Sequence, residues 1–260
     1  MKLLAFETAT EACSVALYLD GEIIERYEIA PRLHAEYALP WAEELLSQAC
    51  VKRSQLDAIA ISRGPGAFTG VRLAIAIAQG IALALDKPVV AVSTLQVIAA
   101  SPPPLRMQGR AGEGLCGLEG NSETPTSQTD VRKQRILAAI DARMGEVYVG
   151  AFERRDGELI AISTEIVCAP QAVTLPDNEG GWHGAGTGFS AVEGALAAHL
   201  GTQLASIDAS ALPHAADVAR LAVAAYARGE ALAPERIEPA YLRHNVALTL
   251  EQQKALRASR

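Results

Sequence analysis

Apolar and polar positions alternate in a way that predicts strands and helices in turn along most of the chain. Short apolar runs bounded by turn residues indicate strands, and Asp20-Gly21 between two such runs is typical of a hairpin. Longer runs with helical periodicity indicate helices. In the first hundred residues these patterns predict strands at 3–6, 13–19, 22–29, 56–61 and 89–92, and helices at 39–51, 71–85 and 94–99.

The pattern returns in the second half of the chain. Strands are predicted at 135–141, 146–152 and 158–166, followed by a helix at 190–200. The first strand of each half ends in an acid, Glu7 or Asp141, and a glycine-rich turn precedes a helix in each half, at 64–70 and at 180–188. Chance is the alternative, since Asp-Gly hairpins are common, but the shared order favours an internal duplication of an α/β unit.

The helix predicted at 71–85 is apolar around most of its circumference. Its polar residues Arg72 and Gln79 share one narrow strip, and the remaining arc of roughly 260° is far wider than the ~100° that a surface helix needs. The second apolar face either packs inside its own domain or docks a partner chain. We define the predicted docking seam by two rows of mostly small residues at 4-3-4 spacing: Ala38, Ala42, Leu45 and Ala49; Leu73, Ile77, Gly80 and Ala84. With 15 residues the helix is shorter than the ~20 that span a bilayer, so no membrane role is expected.

Composition changes sharply between residues 101 and 132, where Pro, Gly, Ser, Thr, Glu and Gln dominate. Such a segment buries too little apolar surface to offset its ordering entropy, which predicts a disordered insertion. The predicted organisation is a first lobe at 1–100, a second lobe at 133–212 and a closing helix and tail at 213–260. The closing helix at 215–229 is expected to pack on the first lobe.

Charge and cysteine content restrict the function classes. The 260 residues carry a formal net charge of −7, which argues against a nucleic-acid binder acting alone, because phosphate contacts need clustered Lys and Arg. Four dispersed cysteines form no Cys-x-x-Cys pair and indicate neither a disulfide framework nor a zinc site. Together with an opening that leads directly into a strand pattern, this predicts a cytoplasmic protein without a signal peptide.

Two halves, each with a strand-end acid and a glycine turn before a helix, match the actin-like ATPase and sugar kinase architecture, in which a nucleotide lies between the lobes. The glycine turns would approach phosphates, and the acids would hold Mg²⁺ through water. The alternative is that Glu7 only caps a turn and the glycines only pack. The candidate nucleotide-binding residues are Glu7, Thr8, Thr10, Gly64, Gly66, Gly70, Asp141, Gly184 and Gly186.

Other chemistries lack their residue patterns. The five histidines never lie three or four apart, so no helical metal pair is predicted. The sequence has no Gly-x-Ser-x-Gly motif and no P-loop. We therefore predict no metal site and no catalytic residues.

Three motifs and a tripeptide together resemble the bacterial TsaB (YeaZ) family over nearly the whole chain outside 101–132. They are the segments at 7–17, 63–72 and 138–148, and Tyr241-Leu-Arg243. The resemblance implies an actin-like duplicated α/β fold and an accessory subunit in the threonylcarbamoylation of the tRNA adenosine beside the anticodon. It implies a heterodimer with the paralogue TsaD, addition of the ATPase TsaE, contact with tRNA only through the complex, and self-association when alone.

The resemblance also implies which surfaces and ligands matter. The first-lobe helices would pack on TsaD in a bundle. We expect that the protein requires no cofactor and that ATP or ADP binding, where it occurs, is weak. Two departures stand out: Glu7 occupies a position where many relatives have Asp, and the 101–132 segment has no counterpart in short members. The rival hypothesis is an ATP-dependent, kinase-like phosphotransferase; a peptidase finds no nucleophile or metal set here.

Overall fold

The computed structural model describes residues 1–101, 134–177 and 179–243, and it contains two mixed β-sheets flanked by helices. Nearly all of the predicted insertion at 101–132 and the tail after Arg243 lie outside the described residues. The first sheet has the order β3-β2-β1-β4-β5, with β1–β3 antiparallel and β4 and β5 parallel to β1. Its strands are β1 (Lys2–Glu7), β2 (Ala12–Leu19), β3 (Glu22–Ile29), β4 (Ala58–Ser62) and β5 (Val89–Val92).

The second sheet repeats this arrangement. Its order, taken from the hairpin end, is β8-β7-β6-β10-β11, with β6–β8 antiparallel and β10 and β11 parallel to β6, and β9 also pairs with β7. The duplicated fold predicted from the sequence is therefore confirmed. The strands are β6 (Gln134–Arg143), β7 (Glu146–Arg155), β8 (Glu158–Ala161), β9 (Ile166–Cys168), β10 (Trp182–Ala185) and β11 (Leu204–Asp208).

Five α-helices cover the faces of the two sheets in the part of the chain that the structure describes. Helices α1 and α2 share an apolar core with one face of the first sheet, and α5 packs on its other face. Helix α4 packs on the second sheet. The helices are α1 (His34–Gln48), α2 (Phe68–Leu85), α3 (Thr94–Ala100), α4 (Ala195–Leu200) and α5 (Ala215–Ala227).

The two halves exchange their last helices. The expected boundary at residue 100 assigns α3 to the first lobe, yet Leu95 and Ile98 pack with Ile136 and Phe152 of the second sheet. Conversely, α5 ends the second half and packs on the first sheet. Each lobe therefore takes up a helix from the other half, although Val97 of α3 also packs in the first-lobe core with α5. Local periodicity does not encode this long-range arrangement.

Several predicted elements have different bounds. Helix α1 begins at His34 rather than Leu39, so Pro40 lies inside the helix. The His34 ring nitrogen Nε2 lies 3.0 Å from the Thr10 carbonyl oxygen and 3.1 Å from that of Ala12, which ties the helix start to the first sheet. The predicted helix at 190–200 shortens to α4 because Val192, Glu193 and Gly194 have positive φ.

Helix α2 is longer than predicted, with 18 residues, and by length and composition it is apolar enough to cross a membrane. The core helix of a globular protein has the same length and composition. Here Val71, Ala74, Ile75, Ala78 and Ala82 are buried in the first-lobe core. One side of the helix thus packs on the first sheet as a core helix does. The apolar residues on its other side need a separate explanation.

Candidate functional site

A cleft of about 1420 Å³ separates the two lobes. Of the predicted nucleotide-binding residues, Thr8, Thr10, Gly66 and Gly70 line its first-lobe wall and Asp141 lines the second-lobe wall. Gly184 instead lies inside strand β10, where an added Cβ would meet the Phe189 ring at 2.5 Å, so the prediction of a turn there was wrong. Glu7, Gly64 and Gly186 are not among the residues that line the cleft.

The glycine turn before α2 packs directly on the turn between β1 and β2. The Thr8 hydroxyl donates to the Gly70 carbonyl at 2.7 Å, and the Ala67 amide donates to the Ala9 carbonyl at 2.7 Å. A Cβ on Gly70 would lie 1.9 Å from the Thr8 carbonyl oxygen, and one on Gly66 would lie 2.4 Å from that of Ala9. Both glycines are therefore required by backbone packing alone.

The first turn of α2 is open to the cleft. The helix begins at Phe68 after Ala67, and no side chain among the described residues caps it. Unpaired amides at a helix start favour anions. The arrangement could accept an anionic group, but the structure does not bring both predicted acids to it.

Glu7 is buried in the first lobe at the end of β1. Its Oε1 accepts the Ala9 amide at 2.6 Å, while the buried Oε2 has no hydrogen-bond partner among the described residues. Burial raises the pKa of Glu7 to about 7, against the opposing effects of the Ser62 side chain, the Ala9 amide and the charge on His214. A carboxyl group in this environment holds its proton near neutral pH, which disfavours a role as a Mg²⁺ ligand.

Asp141 is partly exposed and already engaged. Its carboxylate accepts the Arg143 amide at 2.8 Å and the Arg143 guanidinium at 2.9 Å. The Asp141 amide donates to the Thr187 hydroxyl at 3.3 Å. Glu7 and Asp141 thus occupy unlike environments, and among the described residues no group of three or more His, Cys, Asp or Glu side chains could hold a metal ion.

The α1 row of the predicted docking seam does not lie on the surface, whereas the α2 row does. Ala38, Ala42 and Leu45 of α1 are buried in the first-lobe core, so their assignment to a surface was wrong. These small side chains let α1 lie close to the sheet and to α2; a 4-3-4 row marks close packing but does not say which side of the helix faces solvent. Ala49 is partly buried against the same core.

The α2 half of the seam is on the surface. Gly80 and Ala84 are exposed, and Leu73 and Ile77 are partly exposed. A Cβ added at Gly80 would meet no described residue within 4 Å beyond the helix's own backbone and the adjacent residues. Sequence reasoning missed Ala76 and Leu83, which are exposed on the same side, Leu83 by 62%. We name this set the α2 outer face: Leu73, Ala76, Ile77, Gly80, Leu83 and Ala84.

Comparisons with known proteins find relatives that are similar in sequence and in fold. A family model described as "TsaD: tRNA N6-adenosine threonylcarbamoyltransferase" matches residues 23–107, which include α1 and α2. The Escherichia coli "tRNA threonylcarbamoyladenosine biosynthesis protein TsaB" is 38% identical over 95% of this chain and 96% of its own, and the Haemophilus influenzae protein of that name is 34% identical over 95% of each. The crystal structure "YeaZ from Pseudomonas aeruginosa" is 43% identical, with a TM-score of 0.76 over 93% of this chain and 99% of its own.

Proposed function

The chain belongs to the TsaB (YeaZ) family of tRNA threonylcarbamoyladenosine biosynthesis proteins, and we propose that it acts there as a non-catalytic subunit that binds and activates a TsaD-type transferase. The observation that supports this most strongly is the α2 outer face, a row of apolar side chains along an 18-residue helix whose opposite side is buried in the core. Contiguous apolar surface of this kind commonly marks an interface.

The α2 outer face indicates what kind of partner would fit it. Helix α2 offers Gly80 and two alanines between larger aliphatic side chains, which permits close approach of a second helix. The TsaD family model matches the part of this chain that contains α1 and α2. A paralogue with a matching helix pair is therefore a fitting occupant, and we infer a heterodimer built on a shared helical bundle.

Other members of the proposed assembly have indirect roles. We infer that TsaE, an ATPase, joins the heterodimer, that tRNA is contacted through the complex because this chain is acidic, and that a second copy of the chain can occupy the same face when TsaD is absent. Weak ATP or ADP binding at the cleft stays a proposal supported by the open first turn of α2. We propose a cytoplasmic location, as for any subunit that acts on tRNA.

The rival function is a kinase-like phosphotransferase working in the cleft. It needs two ionised acids around Mg²⁺, whereas Glu7 is buried with a pKa raised to about 7 and Asp141 is paired with Arg143. The structure therefore favours the accessory role.

We expect the isolated protein neither to hydrolyse ATP nor to modify tRNA, and to raise threonylcarbamoylation when it is added to a TsaD-type transferase, TsaE and substrate tRNA. Activity is measured as nucleotide release and as modified adenosine per tRNA. Asp141→Asn should leave that stimulation unchanged. Steady ATP turnover by the isolated chain that Asp141→Asn abolishes would establish the phosphotransferase instead.

A further inference from the structure

The last described segment of the chain forms a strap across the inter-lobe cleft. We define the strap as residues 232–243. It begins where Leu232 pairs with Val89 at the edge of the first sheet, through N–H to O distances of 2.8 and 2.9 Å. Residues 239–243 then line the cleft together with both of its walls. The strap therefore runs from the first lobe to the second over the opening between them.

The first-lobe end of the strap is held at several points. Ile237 is buried in the core beneath α2, the Gln79 amide donates to the Pro234 carbonyl at 2.9 Å, and the Ala240 amide donates to the Arg63 carbonyl at 2.8 Å. The Arg72 guanidinium lies 5.6 Å from the Tyr241 ring centre and donates to the Tyr241 hydroxyl. Backbone, core and cation–π contacts together make this end the permanent anchor.

Among the described residues, the hydrogen bonds from the strap to the second lobe all come from the Arg243 side chain. Arg243 Nη2 donates to the Ala142 carbonyl at 3.1 Å and to the Glu146 carboxylate, while Nη1 lies 3.4 Å from the Met144 sulfur. These contacts are made to the tight turn between β6 and β7, where Arg143, Met144 and Gly145 all have positive φ. Arg243 is mostly buried there, and its Nε has no hydrogen-bond partner among the described residues.

The two ends of the strap are therefore held unequally, by many contacts on the first lobe and by one side chain on the second. A strap held by backbone, core and side-chain contacts at one end, and by the hydrogen bonds of one side chain at the other, releases first at the weaker end. Release of Arg243 frees the second-lobe wall of the cleft while the core of each lobe stays packed. The exchanged helices α3 and α5 stay in place as the connections about which the lobes can turn.

We propose that Arg243 is a latch that sets the opening of the inter-lobe cleft by fastening the strap to the turn between β6 and β7. In the latched state the two lobes are held at the separation seen in the structure. In the released state the lobes separate and the cleft walls become accessible to solvent and to ligands. This latch is made only of residues of this chain and does not depend on the proposed transferase partner.

The test uses the full chain alone and amide hydrogen exchange followed by mass spectrometry. Arg243→Ala should speed exchange about tenfold in both the turn at 142–146 and the opposite wall at Thr10 and Glu11, since both face the cleft and opening exposes both. Exchange in α4 should be unchanged, and the radius of gyration from X-ray scattering should rise. Arg228→Ala is the matched control, because it removes an arginine from a surface pair with Glu230.

Glu146→Gln provides a second, milder variant that keeps the volume of the turn and weakens only the charge-assisted contact. It should give a smaller change in exchange at the same two places. Faster exchange confined to 142–146 would show a local contact and overturn the latch, as would a uniform increase across both lobes, which indicates global destabilisation. Unchanged exchange in both variants would also overturn it.

Discussion

Gly80→Leu is expected to weaken binding to a TsaD-type partner at least about a hundredfold, or by ~2.7 kcal/mol, while the fold stays intact. The reason is steric: a leucine at the centre of the α2 outer face holds the partner helix away from the backbone. Apart from the helix's own backbone and the two adjacent residues, no atom of the described residues lies within 4 Å of an added Cβ at this position, so the isolated protein has room for the side chain. Binding is measured by titration calorimetry and folding by thermal melting.

Leu83→Asp tests the same surface by electrostatics. An unpaired carboxylate in a dry interface costs more than the ~1.5–3 kcal/mol of lost apolar burial, because it must also be desolvated. Leu83 is 62% exposed, so the substitution removes little from the core. Ile77 is a poorer choice than the sequence indicates, since it packs partly against the core and its replacement mixes folding with binding.

Tyr226→Asp is the matched control for this pair of variants. Tyr226 is a partly exposed apolar residue on α5, which covers the opposite face of the same sheet. Its substitution adds the same charge to the same lobe and should leave binding unchanged. Normal binding by folded Gly80→Leu and Leu83→Asp proteins would place the interface elsewhere, and equal losses in all three variants would point to a general charge or stability effect.

The sequence predicted the architecture because its signals are local. β3 was predicted with its observed bounds, and the duplication followed from two acids and two turns in the same order. Packing partners that are far apart in sequence were not predictable in this way: neither α3 on the second sheet nor the strap contacts of Arg72 and Arg243 leave a periodic trace.

In the candidate site, too, local features were predicted and features set by long-range packing were not. The apolar excess of α2 predicted an apolar side beyond the core, and part of that side is exposed, but on α1 the sequence could not separate the buried stripe from the exposed one, so buried Ala38, Ala42 and Leu45 entered the seam. Glu7 was predicted as a strand-end acid, and that position is correct. Its burial, which decides its chemistry, is a property of tertiary packing that the strand pattern does not show.

Burial of Glu7 makes stability depend on pH. The folded-state pKa is about 7 against an ordinary value of 4.5, so between these values the unfolded chain has lost a proton that the folded chain still holds. The free energy of unfolding therefore falls as pH rises from about 4.5 to 7, by about 3 kcal/mol at ~1.36 kcal/mol per pH unit. His214 acts in the same direction, because its contact with Glu25 raises its pKa and the resulting stability is lost as pH rises through that raised pKa.

Glu7→Gln should remove most of this loss, because the amide is neutral at every pH and keeps an oxygen for the Ala9 amide. We expect the variant to exceed the parent in free energy of unfolding by up to about 3 kcal/mol at pH 8, and to match it at pH 4.5, where the parent carboxyl is protonated. Urea unfolding at pH 4.5, 6, 7 and 8 measures the difference. Glu28→Gln, at an exposed position on β3, is the control and should follow the parent curve. Parallel parent and Glu7→Gln curves, or a Glu7→Gln protein that is less stable at pH 8, would show that Glu7 is ionised in the fold and would restore it as a candidate metal ligand.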